Sequence, residues 1–296
     1  MSKGINGLQN LGNTCYMNAS LQCLRVITPL TEYIVERGGE RHGDTTKNDL
    51  VDSYFSFVRD IWSCGNQILV PRDLKREFGR YKEQFLGYGQ QDAPEFINFL
   101  LDAIHEAVKT VRTDRADRKK KVTESVISRL FYGQYRSTVT CDRCNHDSVT
   151  REPFMFLTLP VTRSLEDSFR SISRDDALTN DNRYKCDHCK SETNAVKRLE
   201  VERLPTVLII YLKRFNGNRH RKVETNMDIP LQFDHSEGSY DLIGVVDHHG
   251  TLDRGHYTSS ILIDGRWYDT DDQKIYEISK SQVVSKHAYI LFYLKQ

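Results

Sequence analysis

The feature that most restricts this chain is a pair of cysteine knuckles, Cys141-Asp-Arg-Cys144 and Cys186-Asp-His-Cys189. Two intervening residues let both sulfurs of a knuckle turn toward one point. Two such knuckles supply four thiolates, the ligand set of a closed tetrahedral zinc site. Because 41 residues separate Cys144 from Cys186, the chain between them must leave the tip as an excursion of strands and return to it. Four sulfurs leave no open position, so the expected zinc is structural, one per chain. His146 and His188 are rival ligands, and a site that stays empty is the other alternative.

Three more cysteines, Cys15, Cys23 and Cys64, bring the count to seven. The opening MSKGINGLQN lacks the apolar stretch of a secretory signal. The thiols are therefore expected in a reducing compartment, cytoplasmic and/or nuclear, where paired cysteines bind metal more often than they form disulfides. With 42 basic and 41 acidic side chains the net charge is +1, so no global field points to nucleic acid or a membrane surface. No apolar run reaches the roughly 20 residues of a spanning helix. At 296 residues the chain can bury a large core.

Its first third carries helical periodicity. Met17, Leu21 and Leu24 recur after the turn Gly12-Asn13-Thr14, and a second helix is predicted from Asp92. There Asp92 and Glu95 read as a capping box, and Pro94 sits in the first turn, where its missing N–H costs little. The apolar stripe is Phe96, Leu100, Ile104 and Val108, with Ile97 and Leu101 beside it. The charged run Arg112–Lys121 reads as a solvated helix end or loop. Beyond about residue 130 the pattern turns to strands, QYRSTVT, FMFLTL, VLIIYLKRF and YTSSILI. Helices first and strands later predict an α+β fold.

Cys15 follows the Gly12-Asn13-Thr14 turn at a predicted helix N-terminus, where the dipole favours thiolate. Asn10 and Asn13 place amide donors near it, either of which could serve a developing oxyanion. Cys23 and Cys64 read as buried structural cysteines. Among ten histidines, His256 stands at the start of a strand that Asp264-Gly265 closes into a hairpin. That turn pairs Ile263 with Arg266 and, by count, Thr258 with Asp271. His256 then shares a face with Asp271 and lies diagonal to it. Asp272 falls opposite Tyr257 on the other face, and Asp269 is too far along the strand.

Several segments carry a family resemblance. GLQNLGNTCYMNASLQCL resembles the cysteine box of the ubiquitin-specific proteases, and GHYTSSILIDGRWYDTDD their histidine box. GYGQQDAPEFINFLLDAIHE, LPTVLIIYLKRF and YDLIGVVDHHGTLDRGHY resemble segments lying between these boxes, in the family's order. The resemblance implies a papain-like fold within a single catalytic domain spanning 1–296. A helical thumb would cover about 1–128, with a β-rich palm and zinc-tipped fingers over about 129–296. It implies Cys15 as nucleophile, His256 as general base, Asp271 as orienting acid and Asn10 as oxyanion donor, with Asp272 a secondary candidate. Asp92 matches a residue that meets the arginines of ubiquitin's tail, and Gly255 and Tyr257 flank the channel for its Gly-Gly end. His248 matches a position beside the site. Pro94 and Thr270 depart from the pattern, with Thr270 expected to loosen the packing behind Asp271.

The implied activity is hydrolysis of the bond at ubiquitin's C-terminal glycine by a monomeric thiol protease. Ubiquitin and ubiquitinated proteins are the implied partners. The competing readings are a protease for a ubiquitin-like modifier, a non-catalytic ubiquitin-binding module, and a zinc scaffold for protein contacts.

Overall fold

In a computed structural model, residues 4–37, 45–113, 121–215, 222–251 and 254–296 are described. The helices come first: α1 (Cys15–Arg25), α2 (Thr28–Arg37), α3 (Thr45–Ser63), α4 (Arg72–Tyr81), α5 (Ala93–Val108) and α6 (Val126–Phe131), with α7 (Leu165–Arg170) among the later strands. α1 is buried along its whole length, packed against α5 on one side and the strand Gly255–Ile263 on another. Tyr16 anchors it among Phe85 and Phe96, both 5.8 Å away between ring centroids, and Phe78 stacks on Phe96 at 4.5 Å. Truncating Phe96 to alanine would cost about 3–5 kcal/mol, the usual penalty for a large core cavity.

α5 matches its predicted stripe, since Phe96, Ile97, Leu100, Leu101, Ile104 and Val108 are all buried. The expected capping box is absent. The Asp92 side chain makes no cap; both its oxygens are taken by tyrosine hydroxyls, and Glu95 accepts from Gln84 Nε2 instead. The charged run is flanked by paired strands, Thr110–Thr113 and Lys121–Glu124, where a helix end or loop was expected. Residues 114–120 of that run lie outside the described residues.

The largest sheet has the strand order Lys274–Ile278, Arg266–Asp271, Gly255–Ile263, Gly238–Gly250, Ala288–Lys295, Val207–Lys213 and Phe156–Pro160. Only the final pair is parallel. Two of its inner strands, Val207–Lys213 and Ala288–Lys295, are nearly continuous apolar runs because both faces are covered. Val207, Ile209, Ile290 and Phe292 face the helices, while Leu208, Ile210, Leu291 and Tyr293 enter a second cluster on the far side. A four-stranded sheet, ordered Asp147–Phe154, Gly133–Cys141, Ala195–Arg203 and Asp175–Leu178, extends away and carries the Cys141–Cys144 knuckle, while the Cys186–Cys189 knuckle joins a separate pair of strands, Tyr184–Cys186 and Ser191–Thr193. The fold is α+β, as the order of helical and strand patterns predicts.

Candidate active site and cysteine tip

The turn ahead of α1 is shaped by Asn10. Its Oδ1 accepts from the N–H groups of Gly12 (2.9 Å) and Thr14 (3.2 Å), while Gly12 and Asn13 take left-handed φ values of 103° and 52°. Gly12 must be glycine twice over. Its φ disfavours a side chain, and a Cβ would come within 2.7 Å of the Tyr88 ring. This turn delivers Cys15 as the first residue of α1, only 2 % exposed.

Across the cleft the Asp264-Gly265 hairpin has the predicted register, from Ile263–Arg266 to Ser259–Thr270. Both turn residues have positive φ, as a tight hairpin turn requires. His256 Nε2 meets Asp271 Oδ1 at 2.6 Å, which leaves Nδ1 for the Cys15 side. The neighbouring Cys15 side chain and, behind it, the bond to Asp271 raise the imidazole pKa to about 9 against the lowering effect of burial. The raised value favours a charged imidazole.

Asp272 differs from expectation. The strand stops at Asp271, and Asp272 turns through a left-handed φ of 51°, so strand alternation no longer directs its side chain to the far face. Its carboxylate lies beside the His256 ring and the Asp271 carboxylate, their ligand atoms within 4.8 Å of one another. It accepts from Asn10 Nδ2 (2.8 Å) and Asn18 Nδ2 (2.7 Å). With both oxygens held by amides, Asp272 orients Asn10 and is poorly placed to serve as a metal ligand.

Asn18 was not anticipated, although an asparagine three residues after Cys15 on a buried helix face is visible in the sequence. Thr270 is buried and bonds Ser259 Oγ at 2.6 Å, so the packing behind Asp271 is closed where loosening was expected. Cys23 is fully buried, but Cys64 is partly exposed, contrary to its reading as a core residue.

Asp92 stands at the start of α5, where its Oδ1 accepts from Tyr257 Oη (2.7 Å) and its Oδ2 from Tyr289 Oη (3.2 Å). Burial raises its pKa. No sequence signal marked Tyr289. Gly255 has no room for a side chain, since a Cβ would lie 2.1 Å from His248 Nε2. His248 is buried among Phe215, Tyr257 and Tyr289, and burial lowers its pKa to about 3. It stays neutral beside the site.

At the far tip the four cysteine sulfurs lie within 4.8 Å of one another. Cys141 and Cys189 are 4.0 Å apart, and Cys144 and Cys186 are 3.8 Å apart. A tetrahedron of zinc–sulfur bonds near 2.3 Å has edges of about 3.8 Å, so the cluster fits the ion. Each knuckle closes through a left-handed residue, Asn145 or Lys190. The rival ligands His146 and His188 stack on each other, ring centroids 5.2 Å apart, and are not among the clustered ligand atoms.

Comparison with known proteins gives one family. A family model described as ubiquitin carboxyl-terminal hydrolase matches residues 6–293. Human ubiquitin carboxyl-terminal hydrolase 2 is 33 % identical over 334 residues, covering 99 % of this chain and 55 % of the relative. The chain thus spans about half the length of the curated relatives it matches. A solved SAGA DUB module of Ubp8, Sgf11, Sus1 and Sgf73 bound to monoubiquitin is similar with a TM-score of 0.82 and 26 % identity, over 99 % of this chain and 70 % of that one. The same module bound to ubiquitin aldehyde gives a TM-score of 0.83 at 25 % identity, with the same coverage.

Proposed function

Because the chain belongs to the ubiquitin carboxyl-terminal hydrolase family, we propose that it is a thiol-dependent deubiquitinase cutting at the C-terminal glycine of ubiquitin. The observation that carries this reading is the His256 imidazole bonded to the Asp271 carboxylate at 2.6 Å, on the strand packed against the helix that Cys15 begins. Cys15 thiolate attacks the glycine carbonyl, and the negative charge that develops on oxygen is met by the Asn10 amide, which Asp272 orients. His256 then protonates the departing lysine amine, leaving a thioester. Water, deprotonated by His256, attacks the thioester and restores the Cys15 thiol.

Asp92, Tyr257 and Gly255 wall the approach for the arginine-bearing tail and its terminal glycines. A partly buried carboxylate offers an arginine the stronger, charge-assisted kind of hydrogen bond. Cys141, Cys144, Cys186 and Cys189 would hold one structural zinc, which ties the two knuckles together and takes no part in the reaction. Ubiquitin and its conjugates are the proposed partners, with 1–296 acting as one catalytic unit and as a monomer.

The decisive experiment is a gel with ubiquitin bearing a C-terminal electrophile, beside equivalent probes made from ubiquitin-like modifiers. The reading expects one adduct, formed with ubiquitin and lost in Cys15→Ala. Labelling only by another modifier, or binding with no adduct, would replace it with one of its rivals.

A further inference from the structure

The loop joining α4 to α5 is anchored at one end by the buried ring of Phe85, and its middle lies exposed. After the short turn Glu83–Phe85 it runs through Leu86, Gly87, Tyr88 and Gly89, and the side chains of Leu86 and Tyr88 are 60 % and 74 % exposed. Two glycines in an exposed segment make its ordering entropically costly. Yet this loop backs the nucleophile turn. The Tyr88 carbonyl accepts from Asn13 Nδ2 (2.7 Å), Gln90 Nε2 donates to Asn13 Oδ1 (3.2 Å), and the Tyr88 ring covers Gly12. Any shift of Gly12 and Asn13 reaches Asn10, whose Oδ1 holds the N–H groups of Gly12 and Thr14.

The Phe85 ring is anchored against Phe78 of α4, 4.7 Å between centroids, and the exposed stretch beyond it is tied to α4 by the ammonium of Lys75. Its Nζ donates to the carbonyl oxygens of Phe85 and of Gly87, the latter at 3.1 Å. Charged donors make the stronger hydrogen bonds. Burial lowers the pKa of Lys75, so its charge is kept here against a desolvation cost.

We propose that Lys75 is a positioning residue for the reaction: by pinning Phe85 and Gly87 it sets Tyr88 against Gly12 and Asn13, and so places the Asn10 amide where the oxyanion forms. The role of Asn10 rests on the hydrolase reading; the link from Lys75 to Asn13 does not. Lys75→Met removes both bonds, whereas Lys75→Arg keeps a charged donor of similar reach.

Three measurements test this on the full chain: steady-state hydrolysis of a fluorogenic ubiquitin C-terminal amide, alkylation of Cys15 by iodoacetamide, and the side-chain amide resonances of Asn10 and Asn13. Lys75→Met is expected to lower kcat about tenfold with KM little changed, less than the hundredfold or more of deleting an oxyanion donor outright. The amide resonances should shift while alkylation keeps its rate, because Cys15, His256 and Asp271 are untouched. Lys75→Arg should recover most of kcat. The proposal is overturned by an unchanged kcat, by KM and alkylation changing in step with kcat, or by an arginine variant no better than methionine. If the unaltered protein fails to hydrolyse the amide, the hydrolase reading falls, and the Asn13 resonances still decide whether Lys75 holds the loop.

Discussion

The cysteine tip and the catalytic cleft bring polar groups together by opposite means. At the tip, two local knuckles converge on strands that bury almost nothing: Asp147–Phe154 buries only Phe154, and Ala195–Arg203 only Ala195. Among the described residues no apolar cluster surrounds the four thiols, so a metal held there would supply the stability. The cleft draws its residues from widely separated segments, Asn10, Cys15, Asp92, His256 and Asp272. Each stands on or beside an element whose apolar face is buried in the main core. The difference teaches where damage should be felt. A lost group in the cleft should stop chemistry and spare the fold, while a lost ligand at the tip should loosen the fold and touch chemistry less.

The strongest way to break this contrast is Cys15→Ala. Hydrolysis of a ubiquitin amide is expected to fall by at least about 10⁴-fold, the scale of losing a covalent nucleophile, with the thermal midpoint nearly unchanged. Persistent turnover would move the nucleophile elsewhere.

The two aspartates sharpen it next. Asp271→Ala is expected to lower kcat by about 10²-fold, within the range for a disabled general base. Asp272→Ala should cost about 10- to 10²-fold by freeing the Asn10 amide. Cys15 alkylation separates them: it should slow in the first variant and hold in the second. Equal slowing in both would mean that Asp272 acts on His256 rather than on Asn10.

At the tip, Cys186→Ser or a strong chelator should release about one zinc per chain, the count four thiolates imply. The thermal midpoint should fall by about 5 °C, corresponding to about 3 kcal/mol for a chain of this size. Turnover at low temperature should fall less than threefold, by about the margin that separates a remote structural change from loss of a reacting group. A metal-free protein of undiminished stability would refute the zinc assignment.

The smallest effect is a pH dependence. His256 is raised from 6.5 to about 9 in the folded chain, so its contribution to stability is complete below about pH 6.5 and is lost as the pH climbs through about 9. Comparing urea midpoints at about pH 6 and about pH 10 should show the unaltered protein losing more than His256→Gln. The difference will be modest, because the ring is half exposed and solvent screens it. Identical pH profiles would contradict the Cys15–His256–Asp271 arrangement.

What could be read in advance follows the same division. The knuckles and the Asp264-Gly265 hairpin are local devices, so spacing and turn chemistry alone located four sulfurs and aligned His256 with Asp271. The stripe of α5 was equally legible. Failures came where a distant partner overrides a local rule. Asp92 and Glu95 form a sound capping box by spacing, but Tyr257 and Tyr289 reach Asp92 from two strands of the sheet. Asp272 obeys strand alternation only while the strand lasts, and a single left-handed residue ended it. The hold of Lys75 on the loop before α5 leaves no periodic trace, because its partners are backbone carbonyls.

The position of Ala288–Lys295 between Gly238–Gly250 and Val207–Lys213 bears on how the protein comes into being. A ribosome delivers the nucleophile early and this strand after every other strand of the sheet. Until it inserts, its two neighbours present long apolar edges open to wrong partners, and Tyr289 is missing from Asp92. The nascent chain is thus expected to carry its thiol in an incomplete cleft, with apolar edges that chaperones can bind. A chain stopped before Ala288 is expected to bind a chaperone column and to leave a ubiquitin electrophile untouched; labelling of that truncated chain would show that the cleft forms without its central strand.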